Sequence, residues 1–207
     1  MGSAARGCRS RGGGSMEPRI LAECVSACPE DTEALGHGLG RVVPAGMLIA
    51  LHGDLGTGKT CLVRGLARGL GLESSISSPS YTLMQTHEGG RLALHHFDAW
   101  MEGRQKALLG DGALEAWEGE GVSVVEWADR VQDWLPDPHV FITLRYPAPG
   151  QSMEERHIEI GIWGQEPMSW LEEGLKALKK GGCLRWPARK KPEDGEPWSP
   201  PGRWGER

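Results

Sequence analysis

The sequence predicts an α/β protein with a single mixed sheet, partly parallel and partly antiparallel, flanked by helices. Three observations lead there. An apolar run at 47–52 ends directly in a glycine-rich loop, residues 59–70 then place apolar side chains at helical spacing, and the second half carries strand-like segments joined by short turns. A length of 207 residues suits one domain with extensions. The 39% hydrophobic share is enough for a core, whereas 31 Gly and 14 Pro imply many turns or loose ends.

Residues 42–43 and 47–52 read as one apolar strand interrupted by Pro44-Ala45-Gly46. In 59–70, Leu62, Val63, Leu66, Ala67 and Leu70 mark one helical face, which stops near Gly69 and Gly71. Segments 82–86 and 92–97 flank Glu88-Gly89-Gly90-Arg91, the pattern of a hairpin, and 122–126 reads as a short buried strand. Strands at 140–146 and 156–162 are joined across Pro147-Ala148-Pro149-Gly150. A helix follows at 168–179, with Leu171, Leu175 and Leu178 on one side.

Composition narrows the function classes. With 23 Lys+Arg against 28 Asp+Glu the net charge is −5, which argues against coating nucleic acid by bulk electrostatics. The longest purely apolar runs are about five residues, far below the roughly 20 that cross a bilayer. Five cysteines (Cys8, Cys24, Cys28, Cys61, Cys183) form no C-x-x-C pair and imply a reducing compartment, hence a cytoplasmic protein. Cys24 and Cys28 would share a helical face at i,i+4, but no second ligand pair follows at zinc-finger spacing.

The ends differ from the middle. Residues 1–15 hold five Gly, three Ser and three Arg with no acid, and read as disordered or as a mis-assigned start, with Met16 the true one and Gly12-Gly13-Gly14 a translated ribosome-binding site. Residues 181–207 hold five Gly and five Pro and read as a disordered tail bearing Trp186, Trp198 and Trp204. The expected organisation is a nucleotide-binding domain over 16–166 and a C-terminal helix over 167–180, between those ends.

Gly53-Asp54-Leu55-Gly56-Thr57-Gly58-Lys59-Thr60 matches G-x-x-x-x-G-K-[ST] between the strand and the helix, which makes the fold P-loop NTPase-like. Glycines let backbone N–H groups converge on phosphate oxygens, and the helix N-terminus adds partial positive charge. In such a loop Lys59 reaches the β- and γ-phosphates and Thr60 offers its hydroxyl to magnesium. The pattern arises by chance about once per hundred chains of this composition. Asp98 and Glu126 each end a predicted strand, where an open α/β sheet presents its site. One suits a magnesium site, and the other suits orienting or deprotonating the attacking water. Ser77-Ser78-Pro79-Ser80-Tyr81-Thr82 supplies hydroxyls for a loop that closes over the γ-phosphate. His95 and His96 stay ambiguous between structure and ligation. No Asn-Lys-x-Asp segment is present to read guanine, which favours ATP.

The order Thr32-Glu33-Ala34-Leu35-Gly36, then the 53–60 loop, Ser78-Pro79-Ser80-Tyr81-Thr82, His96-Phe97-Asp98, Glu126-Trp127 and Leu135-Pro136 resembles the TsaE (YjeE) family, over about 30–164. These are bacterial ATPases of the tRNA threonylcarbamoyladenosine pathway. The resemblance implies a P-loop ATPase domain that binds ATP and Mg2+ and works with two partners, TsaB and TsaD. TsaD transfers the threonylcarbamoyl group to tRNA, and ATP hydrolysis resets the complex between turnovers. Residue by residue it implies phosphate and magnesium positions at Lys59 and Thr60, a metal-site aspartate at Asp98 and an essential acid at Glu126. It further implies a tryptophan near the nucleotide at Trp127 and a switch-like loop at Pro79-Ser80. Cys61 stands where the family often has Thr, leaving mainly backbone N–H for the α-phosphate. Asp98-Ala99-Trp100-Met101 lacks the arginine of the family's Asp-Leu-Tyr-Arg. A small-molecule kinase on the same fold and a nucleotide-gated scaffold without appreciable hydrolysis are the alternative readings.

Overall fold

The chain enters the fold through β1 (Arg19–Ser26) and turns into α1 (Pro29–Val42). Pro29 opens that helix with Glu30 and Asp31 in its first turn, where fixed φ and negative charge both favour a helix start. There follow β2 (Leu48–His52), α2 (Lys59–Gly69), β3 (Met84–His87) and β4 (Leu94–Asp98). Short helical turns α3 (Gln105–Leu108) and α4 (Leu114–Trp117) flank a π-helical turn, Leu109–Ala113. The chain closes with β5 (Val122–Glu126), β6 (His139–Arg145), β7 (Arg156–Trp163) and α5 (Ser169–Gly181). The computed structural model describes residues 18–187 apart from 74, 149, 151, 165–167 and 183.

The seven strands form one sheet in the order β1-β7-β6-β2-β5-β4-β3. The central four, β6, β2, β5 and β4, are parallel, while β3, β7 and β1 pair antiparallel at the flanks. The sheet is therefore mixed, as expected. β2 is buried along its whole length because parallel strands lie on both edges and helices on both faces. Ile49 and Leu51 face a core under α1, α2 and α5; Leu48 and Ala50 face a second core closed by Leu108, Ala113 and Trp117. The register of the parallel strands brings the C-terminal ends of β2, β5 and β4 to one edge, with Leu51 opposite Glu126 and Glu126 opposite Asp98.

Three sequence expectations change. Val42 and Val43 are not strand: Val42 ends α1 and Val43 caps it, its N–H bonding to Leu39 O at 2.9 Å. The apolar pair belongs to a helix whose three glycines hide it from propensity. Cys24 and Cys28 share no helical face, because Cys24 lies in β1 and Cys28 precedes α1. Burial pushes the Cys24 thiol up to about 12, and among the described residues no three His, Cys, Asp or Glu side chains gather to hold a metal ion. Three residues of the expected tail pack against the fold: Leu184 is buried, Arg185 pairs with Val25 of β1, and Trp186 packs on the core with Lys179 Nζ 5.2 Å from its ring. Hydrophobic burial of Leu184 and Trp186 outweighs the neighbouring Gly and Pro. Trp198 and Trp204, like the expected start at 1–15, lie outside the described residues.

Candidate functional site

The loop after β2 is shaped by positive φ at Gly53 (138°), Gly56 (77°) and Gly58 (101°), the last serving as N-cap of α2. A side chain at Gly53 would overlap Leu144 O, so the first glycine is required for β6 to approach as well as for the turn. Thr57 Oγ1 donates to Asp54 O at 2.9 Å, and Lys59 spans the loop interior, its Nζ donating to Gly53 O at 2.7 Å and Asp54 O at 2.8 Å. The same ammonium lies 3.8 Å from the centroid of Trp127. Burial lowers its pKa, and Glu126, Asp98, Asp129 and Asp54 oppose that shift.

Trp127 takes this place because its backbone is left-handed, φ 58°, immediately after β5. Few non-glycine residues adopt that conformation, and the kink turns the indole under the loop. Trp100 packs against it at a tilt of 47°, 4.4 Å between centroids, and the Arg130 guanidinium lies over both rings, 4.7 Å from Trp100 and 5.6 Å from Trp127.

At the strand ends, Glu126 accepts from Thr60 Oγ1 at 2.9 and 3.0 Å and from His96 Nε2 at 2.8 Å. Asp98 Oδ2 accepts from Ser80 Oγ at 2.6 Å and from Ser78 Oγ, and its Oδ1 accepts from Trp100 N at 2.9 Å. The serine loop is thus tied to Asp98 through two hydroxyls. Ser78 and His96 bond these two carboxylates; the sequence reading placed Ser78 only within the hydroxyl-bearing loop and left His96 ambiguous. Their signal was their position in the Ser-Pro-Ser and His-Phe-Asp segments.

Lys59, Thr60, Cys61, Ser80, Asp98, Glu126 and Trp127 all line one open cleft of about 680 Å³, with Leu55, Gly56 and Gly58 at its rim. Thr57 is buried behind the loop, and Gly53 and Asp54 meet Lys59 through their carbonyls. Cys61 donates its thiol to Pro29 O at 3.2 Å, and burial raises its pKa, so it remains a thiol joining the starts of α2 and α1. Leu55 is 73% exposed at the loop crown, where Tyr146 Oη bonds its carbonyl at 2.8 Å and Arg156 reaches Gly56 O at 3.4 Å. This clasp from the β6–β7 hairpin had no sequence signature. A second recess of about 220 Å³, lined by Cys28, Thr32 and Arg156, shares Gly56, Gly58, Cys61 and Arg64 with the cleft.

The TsaE family model, described as threonylcarbamoyl adenosine biosynthesis protein TsaE, matches residues 26–158. The chain belongs to the TsaE family. It is 42% identical over 127 residues to the tRNA threonylcarbamoyladenosine biosynthesis protein TsaE of Treponema pallidum, covering 61% of this chain and 93% of that protein. It is 35% identical over 118 residues to the TsaE of Bacillus subtilis, covering 56% and 73%. The crystal structure of Bacillus subtilis YdiB superposes with a TM-score of 0.62 at 27% identity, over 81% of this chain and 99% of that one. Membership in TsaE ties the chain to tRNA threonylcarbamoyladenosine biosynthesis, and the matched span contains the whole cleft. Among the described residues no helix is long and apolar enough to cross a membrane.

A buried histidine directly precedes the glycine loop. His52, at the end of β2, has its pKa pulled down to about 4 by burial, with His139 and Lys59 adding positive charge nearby. The folded protein holds this ring neutral, whereas an unfolded histidine protonates near 6.5. Stability is therefore full above about pH 6.5 and falls as the pH drops toward 4, by about 2 kcal/mol from His52 at pH 5. Urea unfolding of the parent and His52→Leu at pH 7 and pH 5 tests this. The variant is expected to lose less on acidification, and an equal loss in both proteins would refute the assignment.

Proposed function

We propose that the cleft binds ATP with magnesium and hydrolyses it, and that this hydrolysis cycles a TsaB–TsaD complex between rounds of tRNA modification in the cytoplasm. The carrying observation is that Lys59, Thr60, Asp98 and Glu126, from α2, β4 and β5, converge on one edge of the sheet beside a glycine loop of positive φ. The donor set fits the group: a hydroxyl and two carboxylates are hard oxygen ligands of the kind magnesium takes, one or two at a time beside phosphate oxygens.

In this reading the N–H groups of 56–61 and the Lys59 ammonium hold the phosphates. Thr60 and Asp98, with Glu126 at their side, hold the metal ion, which supplies charge neutralisation on the phosphates. Glu126 orients the attacking water, its carboxylate being the acceptor nearest Thr60. Trp127 packs on the Lys59 ammonium and keeps it on the loop. Ser80, with Ser78, couples the 77–82 loop to Asp98, so that loop position follows what Asp98 binds. The nucleoside belongs beyond the Cys61 end of the loop, toward the recess that carries Arg64 and Arg156. We take 16–166 as the ATPase domain, with the 167–180 helix packed against it.

The test is multiple-turnover formation of threonylcarbamoyladenosine on tRNA by purified TsaB and TsaD supplied with threonylcarbamoyl-adenylate, with and without this protein. Turnover beyond one product per complex only in its presence is the expected result. No stimulation by the intact protein with cognate partners would overturn the cycling role.

A further inference from the structure

His96 sits in the middle of β4, between Leu94 and Asp98 on the face that α2 covers, and is completely buried. Its strand neighbour there is Val124, a position that an apolar side chain would fill at lower cost. Among the described residues the ring makes one hydrogen bond, Nε2 to Glu126 Oε1 at 2.8 Å, while Nδ1 is buried with no hydrogen-bond partner. A carboxylate only accepts, so the proton is on Nε2. Leaving a buried nitrogen unpaired is costly, and a purely structural side chain at this site has no reason to carry that cost.

Glu126 is held from two sides, by Thr60 Oγ1 and by His96. Thr60 stands at the start of α2 facing the cleft, where its hydroxyl is the group offered to a bound ligand. Once that hydroxyl is engaged elsewhere, His96 is the remaining side-chain donor to the carboxylate among the described residues. From this geometry we infer that His96 is a positioning residue for hydrolysis: it fixes Glu126 toward the phosphate loop when Thr60 lets go, without touching nucleotide itself. The inference rests on the reading of Glu126 as the acid that orients water.

The experiment compares the parent, His96→Leu, His96→Gln, Glu126→Gln and the Glu126→Gln/His96→Leu double variant. It measures ATP turnover with TsaB and TsaD, nucleotide affinity by titration, and thermal unfolding. His96→Leu is expected to unfold at or above the parent temperature, to bind nucleotide within about twofold, and to lose at least tenfold in kcat, the order expected for a misplaced catalytic group. His96→Gln, whose amide N–H reaches the same carboxylate, restores turnover to within about threefold. In the Glu126→Gln background the leucine costs less than a further twofold, because its partner is already altered.

Full turnover by a folded His96→Leu with Glu126→Gln inactive would overturn the positioning role alone. Full turnover by Glu126→Gln would overturn the role of Glu126 and this inference with it. A parallel loss of affinity and turnover in both His96 variants would make the residue structural. If the leucine variant does not fold, the glutamine variant decides: turnover near parental supports the role, and loss beyond tenfold with a parental melting temperature overturns it.

Discussion

Lys59→Ala is expected to lose about 10²–10³-fold or more in nucleotide-dependent turnover, the loss associated with removing one preorganised charge-stabilising donor, while keeping the fold. Lys59 is 4% exposed, and its ammonium is held by two loop carbonyls and the Trp127 face. Its removal takes away the cation the loop is built around. The helix itself tolerates alanine at its first position. Lys59→Arg should not rescue, because a planar fork does not fit between Gly53 O and Asp54 O as a point-like ammonium does. ATP titration and turnover with TsaB and TsaD, beside a melting curve, give the answer. Unchanged turnover in a folded Lys59→Ala would refute the nucleotide role of the loop.

The second large effect concerns the seat of that loop. α1 and α2 cross at four glycines, Gly36 and Gly40 on one helix, Gly65 and Gly69 on the other. A Cβ on Gly65 would overlap the carbonyl of Glu33, one on Gly36 that of Leu62, one on Gly40 that of Leu66, and one on Gly69 that of His37. Each obstacle is backbone, so no rotamer change relieves it. Alanine in place of glycine gains about 1 kcal/mol of helix propensity. Forcing two packed helices apart costs more, typically 1–3 kcal/mol for overpacking and beyond that when backbone must move. Gly65→Ala is therefore expected to destabilise by about 3 kcal/mol, lowering the melting temperature by roughly 10 °C in a chain of this size. Because α2 carries Lys59 and Thr60 on its first turn, nucleotide affinity should fall with it. Gly110→Ala, which meets no atom within 4 Å, is the control and should change little. Equal melting temperatures for the two variants would show that the α1–α2 contact yields easily.

Much of the site was legible in sequence because its chemistry is local. The glycines, Lys59 and Thr60 lie in one short segment whose spacing already demands a strand before and a helix after. Asp98 and Glu126 announced themselves as acids ending apolar runs, and the sheet puts them side by side in register. The hairpin strands and α5 followed from alternation and from the Leu171–Leu175–Leu178 spacing, both properties of neighbours along the chain.

What only the tertiary structure decided depends on groups far apart in sequence. β1 and α1 escaped because Cys24 sits in a half-buried edge strand and because Gly36, Gly38 and Gly40 depress helix propensity. Gly36 and Gly40 make sense only once α2 lies against them, and Gly38 only once Leu178 of α5 does. Tyr146 and Arg156 hold the phosphate loop from the β6–β7 hairpin, 91 and 100 residues from their partners. His96 was a bare histidine on a strand until β5 brought Glu126 to its Nε2. Short-range pattern pointed to most of the elements and to the residues proposed to carry the chemistry. The pairing of strands and the contact of helices decided which of those residues touch, because a side chain's partner across a sheet is set by register and burial, which no single segment encodes.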